Sequence, residues 1–467
     1  MTKTTPRTYF SKLWDLHKVG DAGDGCDLLA IDRLLLHERT GGVALKSLAQ
    51  RGLGLKAPER VFAVIDHIVS FKSGRSRNEA RSPGGEVFIK ETREMAQSVG
   101  IHLIDTDSPD QGIVHVVAPE LGLAIPGASI VCPDSHTCSL GALGALAWGI
   151  GSSEAEHIMA TGVLRAKKPP QMRVHIDGTL KPGVSAKDVA LHLIAKYGAD
   201  GAKRSAIEFV GSAVSAMTIE ERLTLCNLAI EFSAYTAIVP PDTRTLTYIA
   251  GRGFAPSRGV LQRHLASLQG DEEARFDYEL RLKAEDIAPQ ISWGTNPEES
   301  IALTDRVPDK ARARALAYMG LEKGAEIAGR SIGGAFIGSC TNGRLSDLRA
   351  AAALLKGRKI AEGVRAICVP GSQSVKREAE ALGLDEIFQS AGFEWGAPGC
   401  AMCFYAGGET FPAETRVVST TNRNFEGRQG PGVRTHLASP AVVAASAIAG
   451  VICAPSDLPP MEGAPDG

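Results

Sequence analysis

Gly338-Ser339-Cys340-Thr341-Asn342-Gly343-Arg344, with its distant complement Pro398-Gly399-Cys400-Ala401-Met402-Cys403, decides how this chain is read. Three thiols sit in two glycine-bearing turns, one alone and then a Cys-x-x-Cys pair. Residues 333–337 read as a short buried strand, and Leu345 to Leu355 carry apolar and small residues at helical spacing. Cys340 therefore lies where a strand hands over to a helix. Unpaired backbone N–H groups and the positive end of a helix dipole favour an anion or an anionic cluster at such a place. No fourth cysteine lies close to either turn. The nearest, Cys368, falls in a run that reads as a buried strand, where a thiol packs. Spacing alone leaves three readings open: a [4Fe–4S] cluster with three thiolate ligands and one iron free as a Lewis acid, a structural zinc site completed by a remote histidine, or buried packing thiols.

Outward from these turns, Arg416-Val-Val-Ser-Thr-Thr reads as a strand whose end bears Asn422, Arg423 and Arg428. Two arginines on one turn suit bidentate grips on carboxylates. Residues 438–452 read as a helix with Pro440 in its first turn, and 455–467 as a frayed tail. Upstream, Val61-Phe-Ala-Val-Ile-Asp66-His67 is an apolar run ending in an Asp-His pair, which is how open α/β sheets deliver polar groups. Gly112-Ile-Val-His115-Val-Val reads as a histidine inside another β-type run. Ser129-Ile-Val-Cys-Pro-Asp134-Ser135-His136 is a third, in which an aspartate can set a histidine's tautomer. The segment 23–37 offers Asp32, Arg33 and His37 as further candidates, and Lys72 to Gly85 reads as a flexible, solvated loop. The Gly/Ala-rich stretch 141–160 suits close packing and contains no dinucleotide fingerprint. Lys167-Lys-Pro-Pro170 marks a domain junction. Beyond it a helix is expected from Ser185, as N-cap, to Tyr197. Another is expected from a Thr218–Glu221 capping box, carrying Asn227 and Glu231 on one face. Residues 251–300 read as surface helices and a linker.

The chain of 467 residues suggests two to four domains. Hydrophobic residues make up 44% and charged residues 22%, as in a globular protein, and the net charge of −2 argues against a nucleic-acid or membrane-surface partner. Nine cysteines at irregular spacing argue against a secreted disulfide framework. No apolar run reaches the roughly 18–20 residues of a spanning helix. The N-terminus lacks a secretory core; its Thr-rich, acid-free opening leaves room for a short organelle leader, but a cytoplasmic location is the expectation.

The two cysteine turns, together with Ser419-Thr-Thr-Asn-Arg-Asn-Phe-Glu-Gly-Arg-Gln429, resemble the aconitase and isopropylmalate isomerase family, and within it the large subunits of the isomerase branch. The resemblance runs from about Gly23 to Ile452. It implies three α/β domains around a central Fe–S cluster, here 1–168, 169–283 and 284–467, without the family's fourth, swivelling domain. It implies a [4Fe–4S] cluster on Cys340, Cys400 and Cys403 with one iron not held by protein. Asp66, His67, His115, Asp134, His136 and Glu231 match the family's catalytic positions, and Asn422, Arg423 and Arg428 its substrate-binding positions. The expected reaction is dehydration and rehydration of a hydroxy dicarboxylate, 2-isopropylmalate to 3-isopropylmalate in leucine biosynthesis. His67, oriented by Asp66, would protonate the departing oxygen, while His115 with Asp134 and His136 with Glu231 would handle the bound water.

The family's serine base lies on the swivelling domain, so a separate small subunit is expected to supply it. Ile68, Phe71 and Leu140 replace polar residues usual in the isomerase subunit, and they point to a sister hydratase of citraconate, dimethylmaleate or homoaconitate type as the alternative. A non-catalytic RNA-binding relative is the reading from another class.

Overall fold

The computed structural model describes residues 5–460. The chain divides into two compact units that cut across the sequence. The first comprises the residues up to Ile68, Gly84–Thr179 and Ala199–Ala284; the second comprises Val69–Pro83, Leu180–Gly198 and the residues from Glu285 onward. The three large parallel sheets fall within 33–149, 171–283 and 334–437, and two short segments of the N-terminal half, 69–83 and 180–198, belong with the C-terminal unit.

In the first unit, the strands Arg33–His37, Val61–Val64, His102–Ile104, Ser129–Cys132 and Leu146–Gly149 form one parallel sheet. The first strand in chain order lies in the middle, the second and third on one side, the fourth and fifth on the other. Val61–Val64 and Ser129–Cys132 are buried at every position, which is why they appear in sequence as unbroken apolar runs rather than alternations. A second parallel sheet joins Thr236–Ile238, Ala206–Val210, Gln171–Asp177 and Tyr278–Lys283. The last of these corrects the linker expected over 251–300: its register beside Gln171–Asp177 makes it an edge strand. The core of this unit gathers Phe10, Leu13 and Trp14 of the helix Tyr9–His17 against Leu34, Val131 and Leu146.

The second unit repeats the same strand order with Gly334–Ile337 in the middle, Arg365–Cys368 and Phe393–Trp395 on one side, and Arg416–Ser419 and Arg434–Leu437 on the other, all parallel. Its core contains Phe71, Phe336, Ile367, Met402 and Val417. The helix Leu345–Leu355 follows the Cys340 turn, and Pro440 opens the helix Pro440–Ala449. Ser185 caps the helix Ala186–Tyr197, and Thr218 with Glu221 caps Ile219–Leu228.

Three local expectations are corrected. His115 lies in the short helix Val114–Glu120, not in a strand; the Asp66 carboxylate accepts from Val114 N at 2.8 Å and so supplies the helix's first partner from 48 residues away. Glu231 lies in the 3₁₀ turn Ala229–Phe232, because the preceding helix ends at Leu228. The segment 72–85 is anchored: Ser73 Oγ donates to Trp395 O, Arg75 to Ser70 O and Pro398 O, and Arg81 lies over the Phe404 ring. The tail expected over 455–467 begins with a 3₁₀ turn at Pro455–Asp457, and its part from 461 on lies outside the described residues. Among the described residues no helix is long and apolar enough to cross a membrane.

Candidate active site

The parallel sheet of the first unit presents polar residues at the C-terminal ends of three strands, on either side of the point where strand order reverses, the usual place for a site in such sheets. His37 ends the first strand and Glu38 follows it, Asp66 and His67 follow the second, and Asp134 to His136 the fourth. His67 Nδ1 lies 2.6 Å from Asp66 Oδ1 and its Nε2 3.1 Å from Asp134 Oδ2, so both ring nitrogens face a carboxylate. Asp134 Oδ1 accepts from His136 N at 2.7 Å, and His136 Nε2 lies 3.1 Å from Glu231 Oε1. Asn227, one turn earlier, donates to Ser139 Oγ, so the helix and the 3₁₀ turn both serve the segment that carries His136. His115 does not reach Asp134 by a direct hydrogen bond. Its Nε2 meets Thr137 Oγ1 at 3.2 Å, and that hydroxyl donates to Asp134 O, so Nε2 carries the proton.

The electrostatics follow from burial and from these neighbours. Burial works to raise Asp134, but His115, His136 and His67 overturn that and hold it well below the usual carboxylate value. Asp66 is likewise held low against its burial by His67. Burial lowers His115 to about 4, so it is a neutral imidazole at neutral pH. A cavity of about 1350 Å³ opens beside Asp134 and Ser135, with Arg165, Lys167, Lys168 and Arg204 on its walls.

Two residues here went unnoticed or were only touched on in sequence. Glu38 is fully buried and accepts from the backbone N–H groups of Asp66 and Ile68, so it holds the turn that presents the Asp-His pair. Burial and Asp66 raise it to about 7. His37 stacks on His67 with ring centroids 4.0 Å apart, its Nε2–H donating to Pro133 O. The Arg33 and Asp32 candidates lie at the opposite end of the same strand, where Asp32 pairs with His17 at 2.9 Å. Donor atoms of His37, His67 and Asp134 lie within 4.8 Å of one another, the spacing of a metal site, although His67 and Asp134 already satisfy each other.

In the second unit the three thiols Cys340, Cys400 and Cys403 are buried, each 6–8% exposed. Cys340 follows the middle strand, and Cys400 and Cys403 follow Phe393–Trp395. Ser339 and Ala401, each next to a thiol, hold positive φ values of 80° and 45°, conformations that L residues adopt only when the surroundings impose them. Asn422 Nδ2 lies 3.4 Å from Cys340 Sγ, and Cys403 Sγ lies 3.8 Å from Asn422 Oδ1. Arg428 Nη2 lies 3.5 Å from Cys403 Sγ. Arg423 and Arg428 are half-buried on the same turn, and Arg428 Nε is buried without a partner. Gln429 donates to Met402 O, tying this turn to the Cys-x-x-Cys pair, while Arg344 donates to the carbonyls of Cys340 and Thr341. Arg75, which grips Pro398 O just before Cys400, was hidden in the segment read as a solvated loop. Cys368 is fully buried in its strand, and burial pushes its thiol well up, as suits a packing residue. Three soft donors with an amide and a guanidinium beside them, one N–H of which is buried without a partner, fit an anionic metal–sulfur centre.

Ile68, Phe71 and Leu140 are all buried. Phe71 belongs to the second unit's core, and Ile68 donates its N–H to Glu38.

Residues 11–450 match the aconitase family (aconitate hydratase). The chain is 49% identical over 462 residues to a protein of Bradyrhizobium diazoefficiens called 3-isopropylmalate dehydratase large subunit 1, covering 96% of each chain. Among solved structures it is similar to the holo form of aconitase X from Thermococcus kodakaraensis, with a TM-score of 0.46 and 14% identity, over 87% of this chain and 88% of that one. The chain is therefore a member of the aconitase family.

Proposed function

We propose that this chain is the large subunit of a hydro-lyase that isomerises a hydroxy dicarboxylate by dehydration and rehydration, with 2-isopropylmalate and 3-isopropylmalate as the substrate pair. The observation that carries the reading is the trio of buried thiols with Asn422 and Arg428 set against their sulfurs. Cys340, Cys400 and Cys403 would hold a [4Fe–4S] cluster. When bound, such a cluster with one iron free of protein ligands supplies a Lewis acid for the leaving hydroxyl. The 49% identity to a protein named for the dehydratase large subunit supports the substrate class.

The chain's own residues divide the remaining work. Arg423 and Arg428 grip substrate carboxylates through paired N–H donors. His67 holds a proton at Nε2 for the departing oxygen, with Asp66 fixing its Nδ1–H. His136, set between Asp134 and Glu231, moves the proton of the water that is lost and regained. His115, neutral and donating to Thr137, orders Asp134 rather than carrying charge. A small subunit supplies the serine base, and the complex works in the cytoplasm.

The test is anaerobic coexpression with candidate small subunits, followed by a panel of hydroxy diacids that includes citraconate-type substrates. The expected result is a coloured, iron-loaded complex turning over isopropylmalate. His67→Ala should cut turnover by about 100-fold or more. A colourless, iron-free sample that is fully competent with its partner would overturn the cluster reading. Full activity of the isolated chain would overturn the two-subunit reading.

A further inference from the structure

The second unit contains a buried lysine that makes no salt bridge among the described residues. Lys187 lies in the first turn of the helix Ala186–Tyr197, where a cation opposes the helix dipole, and it is completely buried. Its ammonium donates to Asn342 Oδ1 at 3.2 Å, to Thr421 O at 2.7 Å and to Thr420 O, so all three of its N–H groups are used. Two of these acceptors are peptide carbonyls, fixed by the backbone path of the turn. Asn342 stands two residues beyond Cys340. Thr420 and Thr421 immediately precede Asn422, whose amide lies against the Cys340 sulfur. The lysine thus stitches the turn bearing one thiol to the turn bearing the substrate-binding residues.

The charge has no contact ion pair in the protein. Among the described residues Lys187 makes no salt bridge, and the carboxylates of Asp347 and Asp188 act on it without touching it, each held by other N–H groups. Asp347 accepts from Asn342 Nδ2 and Arg344 N, and Asp188 from Gln290 N and Ser185 N. Burial drags the ammonium down to about 7, opposed by Asp347, Asp188 and the thiols Cys403 and Cys340. A buried cation without a contact ion pair is costly, and three thiolates on a metal–sulfur centre would add to the negative charge that offsets it. We infer that Lys187 is a positioning residue that clamps the Cys340 and Asn422 turns together and provides the counter-charge for an anionic centre held by Cys340, Cys400 and Cys403. This rests on the reading of those cysteines given above.

The experiment compares wild type with Lys187→Gln, Lys187→Met and Lys187→Arg, each reconstituted anaerobically with iron and sulfide. Three quantities are measured: the melting point of the metal-free chain, the reduction midpoint of the loaded chain, and the rate at which its visible absorption is lost in air. The neutral variants are expected to show a more negative midpoint and about 10-fold faster loss of the centre, whereas Lys187→Arg stays near wild type in midpoint. Unchanged midpoint and lifetime in Lys187→Gln would overturn the proposal. So would a fall in the metal-free melting point with an unaltered loaded midpoint, or failure of all three variants to fold, since either would assign the lysine to the fold alone. If wild type itself takes up no iron, it is the reading of the cysteines that fails.

Discussion

Glu38 shows how a single carboxyl can govern a site it does not enter. It receives the N–H groups on either side of His67, so the histidine's backbone is pinned from both flanks. Its folded value of about 7 lies above the ordinary 4.5, so the folded state binds the proton more tightly. The corresponding stability is fully present below about pH 4.5 and is lost as pH rises through about 7. Glu38→Gln should therefore show a flatter melting profile between pH 4.5 and 8 than wild type, and an unchanged slope would discount this role. Neither Glu38 nor Lys187 could be singled out in sequence. Their partners lie 28 to 234 positions away, and a lone acid or lysine in a helix start looks like surface charge.

At the scale of elements, what was legible was what burial writes into composition. The strands Val61–Val64, Ser129–Cys132 and Gly334–Ile337 are buried on both faces and declare themselves as apolar runs. The capping boxes at Ser185 and Thr218 are local hydrogen-bond patterns and were equally readable. His115 was not, because β-branched neighbours mimic a strand and the cap that starts its helix comes from Asp66. The 3₁₀ stretch Ser135–Leu143, which carries His136, depends on a contact that no periodicity announces. A Cβ on Gly141 would lie 1.8 Å from Ala237 O in the neighbouring strand, a backbone atom that cannot swing aside. Gly141→Ala should therefore destabilise the chain by about 1–3 kcal/mol and shift His136 relative to Glu231. Thermal melting reads the first effect, and a wild-type melting point would refute it.

For the whole molecule, three buried neutral histidines set the acid limb of stability. Burial lowers His37 and His115 to about 4 and His436 to about 3, against an ordinary 6.5. The sign follows: the stability is present above about pH 6.5 and is lost as pH falls toward the folded values, at about 3 kcal/mol for each group by pH 4. His436 sits between Arg416 and Ser292 O, and His436→Asn should soften this acid limb in the metal-free chain.

The division into units carries a consequence for synthesis. The strips 69–83 and 180–198 leave the ribosome long before strands 334–437, against which Phe71 and Lys187 are seated, have been made. A nascent chain halted at Ala284 should therefore expose both strips to proteases that spare the finished product. In the cell, the unsheltered Phe71 and Lys187 regions would be a natural load for chaperones until the last third of translation is complete.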